Sequence, residues 1–273
     1  MSDVAEQQGW AVAHAAVEEA VRVLGGRLAS AYAIGSLAHG GFAPAASDVD
    51  VALLTDGGGA IAEEADEIAA ATRARVDSPL AERLSVFHAP WPLHVGPGPG
   101  SRFPAIDRLD LVEHGVLMHG EERRDEASWP APEDVVDEAV RFSLERLELV
   151  PGQAVPLVAP DAVRKPAKLV LAPVRLLFLA DTAQVASNDA AVEHYRHRAG
   201  SAHGALVDAA LTWRTAGVID DLDRARSLLV AHLLALHVEV LSELAARGGI
   251  PHAEALGRLA VRYATAQVTH GVR

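Results

Sequence analysis

A glycine-serine turn set between two apolar runs constrains this chain more than any other feature. Gly35-Ser36 follows the apolar run 28–34, and Ser47-Asp48-Val49-Asp50 opens a second one, 48–54, which Asp56-Gly57-Gly58-Gly59 ends. Both runs read as buried strands. Alternation along the second sends Asp48 and Asp50 to one face and Val49 and Val51 to the other. Two carboxylates on one face repel each other unless a cation lies between them. Mg2+ accepts such hard oxygen ligands, usually one or two carboxylates together with substrate phosphates. Gly35 lets the backbone approach a phosphate closely, and Ser36 adds a hydroxyl and an N–H suited to an anion. Ser47 is a second phosphate donor.

The rest of the chain divides in two. Residues 3–24 carry Trp10, Val12, Ala13, Val17, Val21 and Leu24 at helical spacing, and Gly25-Gly26 ends that helix. A helix is expected over 60–73, a third strand over 84–88, a helix over 107–113 and a short strand over 115–118. Prolines at 90, 92, 97, 99 and 104 predict a long loop over 89–104. Trp129-Pro130-Ala131-Pro132 marks a linker. Beyond it helices are expected over 133–149, 162–185, 189–199, 203–216, 221–247 and 252–267, with Pro166 and Pro173 kinking or delaying the second. The expected class is α+β: a small α/β domain over 1–129, then an all-α helical bundle over 130–273.

Composition narrows the partners. Of 273 residues half are apolar, the formal net charge is −13, and there is no cysteine. Disulfides and thiolate metal sites are excluded, which fits a cytosolic protein. The acidic balance argues against nucleic acid and would favour a cationic small partner. No apolar run reaches the roughly 18–20 residues that span a bilayer, so no membrane is expected. The N-terminus, Met1 to Glu6, is polar and acidic rather than signal-like. Thirteen histidines show no HExxH spacing and read as solvated or core residues.

A phosphate cradle beside paired carboxylates suits moving a nucleoside monophosphate from a triphosphate to an acceptor. The segment resembles the nucleotidyltransferase superfamily pattern of Gly-Ser, a spacer, then Asp-h-Asp-h. More narrowly, Gly35-Ser36, Gly40-Gly41, Pro44 and Ser47-Asp48-Val49-Asp50 are similar to the aminoglycoside adenylyltransferases acting on streptomycin and spectinomycin, with a spacer about one residue longer. A second stretch, Val174 to Tyr195, resembles that family's helical-domain signature: an Arg, a Thr-Gly turn, a Lys-Asp pair, then an acidic residue and an aromatic.

The resemblance implies a mixed sheet in the first domain, ATP as co-substrate, Mg2+ held by Asp48 and Asp50, and phosphates met by Gly35, Ser36, Ser47 and Arg175. It also implies a small cationic acceptor contacted by Asp189 and Glu193, which share a helix face at i and i+4. Trp91 could wall the acceptor or anchor its own loop. Lys165, Lys168 and Arg214 are further candidates for triphosphate oxygens.

Two departures stand out. The family places a third carboxylate on the next strand, as metal ligand or general base, but the centre of that strand offers Ser85; Glu82, at its start, is the nearest carboxylate. Asn188 stands where the family usually has Lys. The reading is therefore an adenylyltransferase-like enzyme. The alternatives are a nucleotide-binding protein with weak or no transferase activity, or a nucleotidyltransferase acting on a protein partner.

Overall fold

The computed structural model describes residues 2–57, 61–92, 101–127, 129–148, 158–198 and 201–248. The chain forms two compact units, Met1–Ala131 and Pro132–Arg273. In the first, the strands β1 (Leu28–Ile34), β2 (Val49–Thr55), β3 (Leu84–Pro90) and β4 (Val116–Gly120) form one sheet in the order β3-β2-β1-β4. β1 runs antiparallel to β2 and to β4, while β2 and β3 are parallel, so the sheet is mixed.

Helices cover both faces. On one side α1 (Ser2–Leu24) and α2 (Ala62–Arg75) pack against Ala31, Val49, Val51, Leu53 and Val86. On the other, α3 (Ala105–His114) contributes Leu111 to a cluster with Tyr32, Ile34, Ala52, Leu54 and Ala89. This division settles the register of β2. Val49 and Val51 are fully buried against α1 and α2, each such side chain worth about 1.5–3 kcal/mol. A slip of one residue would put Asp48 and Asp50 into that core instead. The hydrophobic pattern therefore aims both carboxylates at the α3 face.

The second unit is helical: α4 (Pro132–Glu148), α5 (Arg164–Thr182), α6 (Asn188–His197), α7 (Gly204–Ala216) and α8 (Leu222–Gly248). The helix expected over 252–267 and half of the loop expected over 89–104, residues 93–100, lie outside the described residues. By length and composition alone, α8 would pass for a membrane span, its most apolar 18-residue stretch within Leu222–Arg247 having mean hydropathy 1.7. Counting uninterrupted apolar runs overlooked it because His232, His237, Glu239 and Glu243 break the stretch. Its buried Ala225, Leu229, Leu233, Leu236, Val240 and Leu244 recur at helical spacing, the pattern of a helix packed in a bundle.

Pro166 sits in the first turn of α5, where a missing N–H costs little, but Pro173 lies inside the helix. Lacking an N–H, Pro173 leaves the carbonyl of Leu169, four residues earlier, without its helical donor. His237 on α8 fills the gap: its Nε2 donates to the Leu169 oxygen at 2.7 Å. The ring is buried, its Nδ1 has no hydrogen-bond partner, and burial pushes its pKa down to about 4.

The folded state thus excludes a proton that the unfolded chain, with histidine near 6.5, accepts. Between pH 6.5 and 4 stability must fall as pH falls, by up to about 1.4 kcal/mol per pH unit from this group. We expect His237→Gln, which keeps a neutral donor, to show a shallower loss between pH 7.5 and pH 5 than the wild type in urea denaturation. Equal slopes would contradict this account.

Candidate active site

The end of β1 and the start of β2 converge on Gly35. Ile34 pairs with Asp50 across the antiparallel ladder, and the chain then turns through a single 3-10 turn, Gly35–Leu37. Gly35 has φ +69, the left-handed region, and a Cβ there would lie 2.6 Å from Asp50 Oδ2. Glycine is thus required twice, by its backbone and by the carboxylate resting on it. The Gly35 carbonyl accepts from the N–H groups of Ala38 and His39, at 2.9 and 3.0 Å. Its own N–H donates to Asp110 Oδ2 on α3, at 2.5 Å. The expectation that Gly35 serves a phosphate through close backbone approach is therefore narrowed: its N–H is already engaged, and its structural task is to admit Asp50.

The two serines close the loop between the strands. Ser36 Oγ donates to Ser47 Oγ at 3.0 Å, and Ser47 Oγ also accepts from the Ala43 N–H at 2.9 Å. Arg83 reaches in from the turn before β3, donating through Nη1 to the Ser47 carbonyl at 2.9 Å and through Nη2 to the Pro44 carbonyl. From the other side His114, at the end of α3, stands edge-on to His39 with ring centroids 5.8 Å apart. The cradle is thus held by groups the motif itself does not contain: Asp110, Arg83 and His114. A carboxylate inside an otherwise apolar helix turn, Leu109-Asp110-Leu111, was the one sequence signal that could have pointed to the first.

Asp48 and Asp50 flank the buried Val49 and are both half-buried. Their hard-oxygen donors, with Asp50 lodged over a glycine too crowded for a side chain, fit one Mg2+ shared with substrate phosphates. Among the described residues no three His, Asp or Glu side chains lie together as a ready metal cage. The parallel ladder pairs Asp50 with Ser85, so a hydroxyl, not a carboxylate, occupies the facing position on β3.

Glu82 is not brought to this pair. It sits on the 3-10 turn Ala81–Arg83 with its side chain 73% exposed, 4.0 Å from Arg73 on α2. Trp91 is also remote from it. Six residues beyond Ser85 along β3, or about 20 Å at strand rise, it packs against the α3-side cluster with Arg123 over its ring at 5.8 Å.

The remaining candidates belong to the helical unit. Asp189 is exposed in the first turn of α6, behind the Ser187 cap that accepts from the Ala190 N–H at 3.3 Å. Glu193, one turn on, pairs with Arg196 at 3.1 Å and His197 at 2.8 Å. The Arg196 hydrogen bond, then that of His197, holds its carboxyl below the usual range. Arg175 is half-buried on α5. At the end of α5, Ala183 adopts φ +57, the residue at the position where the similar signature carries glycine.

No known family pattern and no curated protein matches the chain by sequence. A solved structure does match in three dimensions: the spectinomycin adenyltransferase AAD(9) of an Enterococcus, determined with ATP and spectinomycin. It superposes with a TM-score of 0.60 over 84% of this chain and 96% of that one, at 13% sequence identity. At that identity the likeness is one of fold. The mixed four-stranded sheet with its helices, followed by a helical region, is the arrangement seen in AAD(9).

Replacing Gly35 tests the local geometry directly. Gly35→Ala should destabilise the protein by about 1–2 kcal/mol through the left-handed backbone alone, with further loss from the contact with Asp50. Thermal unfolding reads this, and an unchanged Tm would show that the turn relaxes freely.

Proposed function

We propose that this protein is a Mg2+-dependent nucleotidyltransferase that moves AMP from ATP to a hydroxyl group of a small polar, cationic acceptor of the aminoglycoside or aminocyclitol kind. The observation that carries the reading is the Asp50 carboxylate seated on Gly35 beside Ser36 and Ser47, within a fold shared with AAD(9). In the reaction the acceptor oxygen forms a bond to the α-phosphorus as the bond from that phosphorus to the β-phosphate oxygen breaks. Pyrophosphate leaves with the electron pair, and the acceptor proton passes to a base.

Asp48 and Asp50 would hold the metal, which neutralises charge along the triphosphate. Ser36 and Ser47 would exchange their mutual hydrogen bond for phosphate oxygens, at little net cost because each hydroxyl both donates and accepts. Arg175 would meet the triphosphate. Asp189 and Glu193 would orient the cationic acceptor. Glu193 would do so only by giving up Arg196 and His197, an exchange of exposed ion pairs worth little individually.

Isothermal titration of MgATP into the wild type and Asp50→Asn tests the nucleotide site. We expect binding to the first and a loss of at least tenfold in the second, the scale of a charge-assisted ligand worth about 1.4 kcal/mol or more. Failure of the wild type to bind would refute the reading. Pyrophosphate release across aminocyclitols (spectinomycin included), aminoglycosides and lincosamides then identifies the acceptor class.

Ser85 favours a second reading, a nucleotide-binding protein of weak transferase activity. Its hydroxyl faces Asp50 where a third carboxylate is expected, and Glu82 points elsewhere. A general base typically contributes about 10²–10⁴-fold. If this missing group limits turnover, Ser85→Glu should raise kcat for pyrophosphate release by one to two orders of magnitude, on the scale of that contribution. A Ser85→Glu variant that binds MgATP but is no faster than the wild type would place the base on another residue.

A further inference from the structure

We propose that Asp110 is a positioning residue for the metal–nucleotide site: by clamping the Gly35 N–H it sets where the Asp50 carboxylate can rest. The inference deepens the function proposed above and rests on it for its consequence, though not for its geometry. Asp110 is only 4% exposed, and its Oδ2 accepts the Gly35 N–H in a close hydrogen bond of 2.5 Å, charge-assisted by the carboxylate. Its Oδ1 is buried with no hydrogen-bond partner. A carboxylate held inside the protein on so few bonds is costly, and a neutral acceptor would satisfy one backbone N–H more cheaply. Such an arrangement suits a group selected for the rigidity of its one strong bond.

That bond acts at the residue on which Asp50 rests. The Cβ position of Gly35 lies 2.6 Å from Asp50 Oδ2. The two contacts and the covalent dimensions of one residue place the carboxylates within about 7–8 Å of each other, on either side of Gly35. The Gly35 carbonyl is itself held by Ala38 and His39. Both ends of the Gly35 unit are thus tied down, and the tie on its N–H comes from a separate element, α3. Ser36 and Ser47 hold the turn from the loop side; without Asp110 the Gly35 N–H, and with it the seat of Asp50, loses its tie to α3.

The test uses the full chain, isotopically labelled, as wild type, Asp110→Ala and Asp110→Asn. Asparagine keeps an acceptor for Gly35 and serves as the conservative rescue. NMR reads the Gly35 amide proton and the Asp50 carboxyl carbon without any ligand, and calorimetry reads MgATP affinity. In Asp110→Ala we expect both resonances to move and MgATP binding to weaken by about tenfold or more. Asp110→Asn should bind within about threefold of wild type, misplacements below 1 Å being enough for such losses.

A folded Asp110→Ala with the Asp50 resonance unmoved, or with unchanged MgATP affinity, would overturn the proposal. Should that variant not fold, Asp110→Asn decides through the Gly35 amide. That amide must shift on passing from a charged to a neutral acceptor, and an unmoved one shows that the clamp does not exist. Should the wild type bind no MgATP, the functional reading fails, and the two resonances alone decide whether Asp110 positions Asp50.

Discussion

The first unit is organised around one crowded glycine. Gly35 sits with a carboxylate against each side, Asp50 where its side chain would be and Asp110 on its N–H. Everything nearby follows from keeping that arrangement. Val49 and Val51 lock β2 in register from beneath. Ser47 and Arg83 hold the intervening loop closed, and α3 is packed against β1 by Leu111 so that Asp110 reaches the turn. Removing the side chain at one position is what lets two carboxylates approach the same turn. A bound cation would neutralise the charge that the fold brings together there.

The strand–turn–strand segment was legible in the sequence because its signals are local. Alternation, a turn glycine and the apolar runs report on backbone geometry within a few residues. The following helices were legible for the same reason, while the mixed sheet was implied by the family resemblance. What holds the turn was not. Asp110 lies 75 residues away in sequence from the group it binds, and nothing in the spacing of the motif refers to it. Glu82 illustrates the converse. As the nearest acid to the expected position it was the natural candidate, yet the parallel ladder pairs Ser85 with Asp50 and leaves Glu82 on the turn beside Arg73. Register between neighbouring strands is a tertiary property, and counting along one strand does not supply it.

In the helical unit, the pair Asp189 and Glu193 was read from the resemblance to the family's helical signature, with helical spacing giving them a shared face, and both do lie on α6. Their surroundings were beyond that argument. Asp181 gathers His194 at 2.7 Å and Arg247 at 2.7 Å, with Arg198 as a third partner, joining the end of α5 to α6 and α8. Glu193 is tied to its own helix. The acidic groups Asp181 and Glu193 are therefore already paired with neighbouring side chains.

The proline inside α5 has a consequence of a different kind. A helix normally completes its hydrogen bonds from within, so it can form or fray by itself. α5 cannot, because Pro173 strands the Leu169 carbonyl and the donor that satisfies it, His237, belongs to α8. Detaching α8 would expose apolar surface and also leave a buried acceptor bare in the middle of another helix. The two helices are thereby made partners in a single opening event, and exchange of their backbone amides should report one shared free energy instead of two.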